Sequence, residues 1–175
     1  TNYDIAAGAA RGKILIQAQD DCYPPPAWDE MLLKKIGDPN LPKFVAVADG
    51  HRTDRLCVNS IMTRAYADLK AEEQQDGGNG FFPRAYDAVF ADTENTYRAY
   101  IDQINGKCEL VEARDIIIYH DHPAYNQQVP WDATYQQENS PEAYAKNGEI
   151  FLKRNPSAEH DNILNLPPNP VKEEA

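Results

Sequence analysis

Residues 113–135 read ARDIIIYHDHPAYNQQVPWDATY, and the fold is organised around this stretch. Ile116, Ile117, Ile118 and Tyr119 form a short β-branched and aromatic run, the composition of a buried strand. It delivers three ionisable groups in a row, His120, Asp121 and His122. Pro123 then ends the ladder, because it has no N–H to donate. Ten residues past His122 comes Asp132, in Asp-Ala-Thr-Tyr. Half of the four histidines in the chain fall here.

Working outward, 44–48 (FVAVA) is apolar throughout and reads as an internal strand, while 13–19 (KILIQAQ) reads as a strand with partial alternation. Between them, Trp28, Met31, Leu32 and Ile36 fall on one helical face, closed by Gly37. The prolines at 24–26 force extended backbone ahead of that helix. Residues 55–74 carry Leu56, Ile61, Ala65 and Leu69 at helical spacing, with Asp54 as the expected N-cap. Residues 84–105 repeat the pattern through Tyr86, Phe90, Tyr97, Ile101 and Ile104, with a break expected at 91–94. Ser140 and Pro141 open a further helix, ending near Arg154. Residues 1–12 lack periodicity and read as an arm with room for one helical turn. The expectation is one α+β domain over 1–154, helix-rich, with a small sheet of three or four strands, then a proline-rich extended tail over 155–175.

The 175 residues carry 17 basic and 28 acidic side chains, a net charge of −11. Nucleic acid is excluded as the expected partner, since phosphate contact requires a basic patch, and anionic membrane surfaces are excluded for the same reason. No apolar run approaches the roughly 20 residues that span a bilayer. The chain opens without a signal-peptide pattern, and 13 prolines and ten tyrosines give the expectation of an exported, secreted protein. Cys22, Cys57 and Cys108 are odd in number, so at least one thiol is free or paired with another chain.

Four constellations carry chemistry. His120 and His122, two apart on a strand, project to one face. With Asp132 as an oxygen ligand they form a candidate site for zinc or another divalent metal, and Asp121 is the candidate base that activates bound water. The competing reading is two surface histidines flanking an aspartate. Cys57, at the expected start of the 55–74 helix, is a candidate nucleophile with a histidine base, against the reading of a buried thiol or a bridge to Cys108. Asp49, Gly50 and His51 end the 44–48 strand, where ligand-contacting loops sit; the alternative is a glycine turn. Tyr119, Tyr125, Trp131 and Tyr135 gather around the histidines and suit either a cleft for a peptide or sugar or simple packing.

The histidine-bearing strand end, Asp132-Ala133-Thr134-Tyr135 and the closing segment Pro141-Glu142-Ala143-Tyr144-Ala145-Lys146-Asn147 resemble the end of secreted deuterolysin-like (aspzincin) metallopeptidases. That family binds zinc through a helical His-Glu-x-x-His and an Asp in Gly-Thr-x-Asp-x-x-Tyr. The resemblance implies that Asp132 matches the Asp ligand and that His120 or His122 matches one histidine. This chain has His120-Asp121-His122 instead of His-Glu-x-x-His, and Pro130-Trp131 before Asp132. The functional expectation is a metal-dependent hydrolase acting on a peptide or similar polymer. Two alternatives stand beside it: a non-catalytic acidic module that recognises a basic protein partner, and a Cys57-dependent hydrolase.

Overall fold

The computed structural model describes residues 2–73, 77–87, 89–159 and 162–168. The end of the expected 55–74 helix and residues 169–175 of the expected tail lie outside them.

The elements are α1 (Asn2–Ala9), β1 (Ile14–Ile16), β2 (Cys22–Tyr23), α2 (Trp28–Ile36), β3 (Lys43–Ala48), β4 (Ile61–Thr63), α3 (Arg64–Glu73), α4 (Ala91–Ile104), β5 (Glu109–Ile117), β6 (Tyr119–His120), α5 (Ala133–Glu138) and α6 (Pro141–Arg154), followed by two short 3-10 turns. The fold is α+β. A four-stranded mixed sheet runs in the order β1-β4-β3-β5, and β2 pairs with β6 in a separate two-stranded ribbon.

β3 explains why its sequence is apolar throughout. Successive side chains point to opposite faces, and both faces are covered. Phe44 and Ala46 enter one core with Met62 of β4 and with Tyr66, Tyr97, Tyr100 and Phe151 from α3, α4 and α6. Val45 and Val47 enter the other, with Leu32 and Ile36 of α2, Val111 and Ile116 of β5, and Ile118 just past its end. Burial on both faces requires a continuous apolar run.

β5 lies parallel to β3 from Lys43↔Glu109 to Ala46↔Glu112, and resumes at Ala48↔Ile117 after an irregularity. The pairing then continues as Ile118 N–H donates to Ala48 O at 2.9 Å and His120 N–H to Asp49 O at 3.1 Å. His120 is thereby held at the carboxyl end of the parallel pair.

The sequence-based helix over 55–74 starts nine residues late, at Arg64. Residues before it are spent on tertiary contacts. Ser60 N–H donates to Gln17 Oε1 and Cys57 N–H to Thr96 Oγ1. Ile61, Met62 and Thr63 form β4, paired with β1 through Ile16, Leu15 and Ile14. Asp54 caps no helix; it binds Arg52 and the Leu56 N–H. Thr63 does the capping instead, accepting from Tyr66 N–H at 3.4 Å.

The 84–105 segment becomes helical only at Ala91, inside the expected break, because Phe90 adopts φ 77. The amino-terminal arm is a helix. Its buried Asp4 accepts Asn79 N–H at 2.9 Å and pairs with Arg84 at 2.7 Å. Gly80 makes this junction possible: at φ +73 its backbone passes so close to α3 that a Cβ would lie 1.8 Å from Ala67 O. α6 follows its expected bounds, with Ser140 accepting from Ala143 N–H at 3.2 Å. Residues 162–168 pack on the body: Ile163 is buried in the core, and Arg55 donates to Leu164 O and Pro167 O. No described helix is long and apolar enough to cross a membrane.

Candidate functional site

The site is built on the β2–β6 ribbon. Cys22 lies opposite His120, and Tyr23 opposite Tyr119. Side chains directly opposite in an antiparallel pair share a face, so Cys22 and His120 point the same way. Asp121 N–H donates to Asp21 O at 2.8 Å and extends the ribbon by one rung. His120, 9% exposed, sets its Nε2 3.2 Å from Asp21 Oδ2. Asp21, Cys22 and His120 each offer a ligand atom within 4.8 Å of the others, the one such His/Cys/Asp/Glu group among the described residues.

This core is braced from several sides. Tyr135 OH, from α5, donates to Asp21 Oδ2. His51 Nε2–H donates to His120 O at 2.9 Å, and its ring stacks on Tyr125 at 4.4 Å and 8°. His51 therefore joins the site as a brace on the His120 backbone. The Gly50 turn has φ +86, and a Cβ there would meet the Tyr119 ring at 2.9 Å. His122 packs edge-on against His120, Trp131 and Tyr135 at 5.1, 5.7 and 5.0 Å.

The electrostatics follow from burial and from one carboxylate. Burial alone raises Asp21, but the Tyr135 hydrogen bond and His120 overcome it and hold the carboxyl below its usual range. Burial and the Asp21 charge push the Cys22 thiol up to about 12. Burial and His120 push His122 down, which favours the neutral ring. Its Nδ1 accepts Ala124 N–H at 3.1 Å, so the neutral ring carries its proton on Nε2.

A cleft of about 1040 Å3 opens from this cluster. Asp21, His120, His122, Trp131 and Tyr135 line one part of it. Asp121 and Asp132 do not line it. Asp121 lies between two histidines that share the cleft, and its carboxylate is tied to Asn126 Nδ2 at 2.6 Å. Asp132 is the N-cap of α5, accepting from Tyr135 N–H at 2.9 Å. It positions Tyr135 and stands outside the three-donor cluster.

The structure thus brings His120 and His122 together and supplies Asp21 and Cys22 where the sequence pointed to Asp121 and Asp132. Asp21 and Cys22 lie just before three prolines and read in sequence only as the stop after the 13–19 strand. Their partner lies about 100 positions away, and no local periodicity encodes it. Cys57 does not sit at a helix start. It is 1% exposed, burial pushes its thiol up to about 12, and all three cysteines are free thiols.

An N/O/S donor set of Asp, Cys and His is chemically suited to zinc and similar transition ions. No family model, curated protein or solved structure matches the chain.

Proposed function

We propose that this protein is a metal-dependent hydrolase of peptides or similar polymers, with a zinc-type ion held by Asp21, Cys22 and His120. The observation that supports this is the convergence of those three donors within 4.8 Å, two of them, Asp21 and His120, lining a large aromatic cleft. A bound ion would supply Lewis-acid polarisation and an activated water.

The roles of the side chains follow from their contacts. His120 is oriented through its backbone by His51 and Asp49. Asp21 is oriented by Tyr135. Neutral His122 presents an Nε2–H edge, a donor suited to a substrate carbonyl oxygen.

Elemental analysis of natively purified, tag-free protein tests the reading, repeated after zinc incubation and on Cys22→Ser and His120→Ala. Stoichiometric metal in the wild type, lost in both variants, is the expected result and opens a screen for hydrolysis. Wild-type protein that stays metal-free under saturating zinc ends the reading.

A further inference from the structure

The cleft carries negative charge that the protein itself answers only in part. Of its two guanidinium groups, Arg84 is paired with Asp4, and Arg52 is hydrogen-bonded to Asp54 while its charge also reaches Asp49 and Asp92. Asp49 also lines it, and is 4% exposed. Its Oδ1 accepts the N–H groups of His51 at 2.9 Å and Arg52 at 2.8 Å. Its Oδ2 is shielded from water and has no hydrogen-bond partner. A buried carboxylate oxygen left unpaired is costly, and a cation is the group that relieves it.

Asp92, in the first turn of α4, tells the same story. Its carboxylate accepts the Thr93 backbone N–H at 2.7 Å and the Thr93 hydroxyl at 3.4 Å, and burial pushes it above the ordinary range against these bonds and the Arg52 charge. The opposite observation concerns the aromatic wall. Tyr125 and Trp131 line the cleft yet remain 49% and 44% exposed. Exposed rings that line the same cleft as a carboxylate oxygen with no hydrogen-bond partner attract a cation with an apolar stem. A bare metal ion would answer the charge but leave the rings and most of the volume unused.

We propose that the cleft admits a lysine or arginine side chain of a polypeptide, its charged head directed toward Asp49 and its stem lying along the Tyr125–Trp131 wall. The hydrolase reading is needed only for calling that polypeptide a substrate; binding needs no ion.

The test is fluorescence anisotropy of the full chain with a labelled Gly-Ser peptide carrying several lysines, in about 0.15 M salt to screen long-range attraction to the acidic surface. The fully Nε-acetylated peptide and a chito-oligosaccharide are compared, with and without zinc. Saturable binding of the lysine peptide, weakened about tenfold or more by acetylation, is expected. Asp49→Asn retains an Oδ1 acceptor for the His51 and Arg52 turn, and is expected to weaken binding about fivefold or more with its melting temperature little changed. If that variant does not fold, Trp131→Ala, at an exposed ring, is expected to weaken binding similarly. Asp29→Asn on α2, outside the cleft, should bind as wild type.

Equal affinity for the acetylated peptide, binding of the oligosaccharide alone, or equal weakening by Asp29→Asn overturns the proposal. Stoichiometric zinc without peptide binding removes this proposal and leaves the metal site standing. Peptide binding by protein that takes up no zinc does the reverse.

Discussion

Glu94 is fully buried in α4 and joins three parts of the chain, so its replacement tests the packing directly. Its carboxylate accepts Arg154 Nε at 2.9 Å and Nη2 at 2.9 Å from the end of α6, Asn155 Nδ2 at 3.3 Å, and the Tyr86 hydroxyl. Arg98 Nε lies 2.8 Å away, one helical turn on. Glu94→Gln keeps the shape and removes the charge. Two guanidinium groups, 25% and 21% exposed, then face a neutral amide whose NH2 cannot accept. Removing one partner of a buried ion pair costs about 3–5 kcal/mol, and partial hydration of both arginines places this case near about 3 kcal/mol. With a urea m-value of about 2 kcal/mol/M, the midpoint should fall by about 1.5 M. Urea titration at pH 7, followed by circular dichroism, measures it. The pH dependence gives a second handle. Burial alone would raise the Glu94 carboxyl, but Arg154, Arg98 and Tyr86 hold it below its ordinary 4.5. Its contribution is therefore full above pH 4.5 and is lost as pH falls through the lowered folded value. The gap between wild type and Glu94→Gln should shrink on acidification below that point. A loss under about 1 kcal/mol at pH 7, or a gap indifferent to acid, would refute the argument that this carboxylate is a buried ionic junction.

Lys70 makes the opposite case: it is 1% exposed, and burial with Arg98 nearby brings its amine down from 10.5 to about 8. The unfolded chain then binds the extra proton between those values, so wild-type stability relative to Lys70→Met should rise from pH 8 to 10.5 in paired urea titrations. Asp132→Ala removes the α5 cap at a local cost of about 1 kcal/mol, and any zinc stoichiometry should not change, because the proposed donors are Asp21, Cys22 and His120; loss of zinc in this variant would return Asp132 to the ligand set. Cys57, buried and with its thiol near 12, should resist iodoacetamide in native protein and react readily in denaturant, as read by mass spectrometry; fast native labelling would contradict the packing around it.

Much of the architecture is local information. The both-faces burial of β3 is written in its unbroken Phe-Val-Ala-Val-Ala, because a half-exposed strand alternates and this one does not. α2 and α6 are legible from apolar spacing, from Gly37 at φ 61 and from the Ser140-Pro141 start. His120 and His122 on one side of a strand end follow from the two-residue repeat, and the same repeat predicts that Asp121 does not share their face.

Other features belong to the tertiary structure. Ile61, Met62 and Thr63 fit a helical stripe as well as a strand, and pairing with β1 and β3 decided between them. The amino-terminal helix is held by the buried Asp4, whose partners Asn79 and Arg84 are some 75–80 positions on. The candidate site shows the division most clearly. The sequence by itself determined that a buried strand ends in histidines. Only the antiparallel pairing of Cys22 with His120 decided which carboxylate and thiol stand beside them. Side-chain periodicity is a property of neighbouring residues, whereas convergence of donors depends on strand register across about 100 residues. That register is set by the packing of the sheet and carries no local signature.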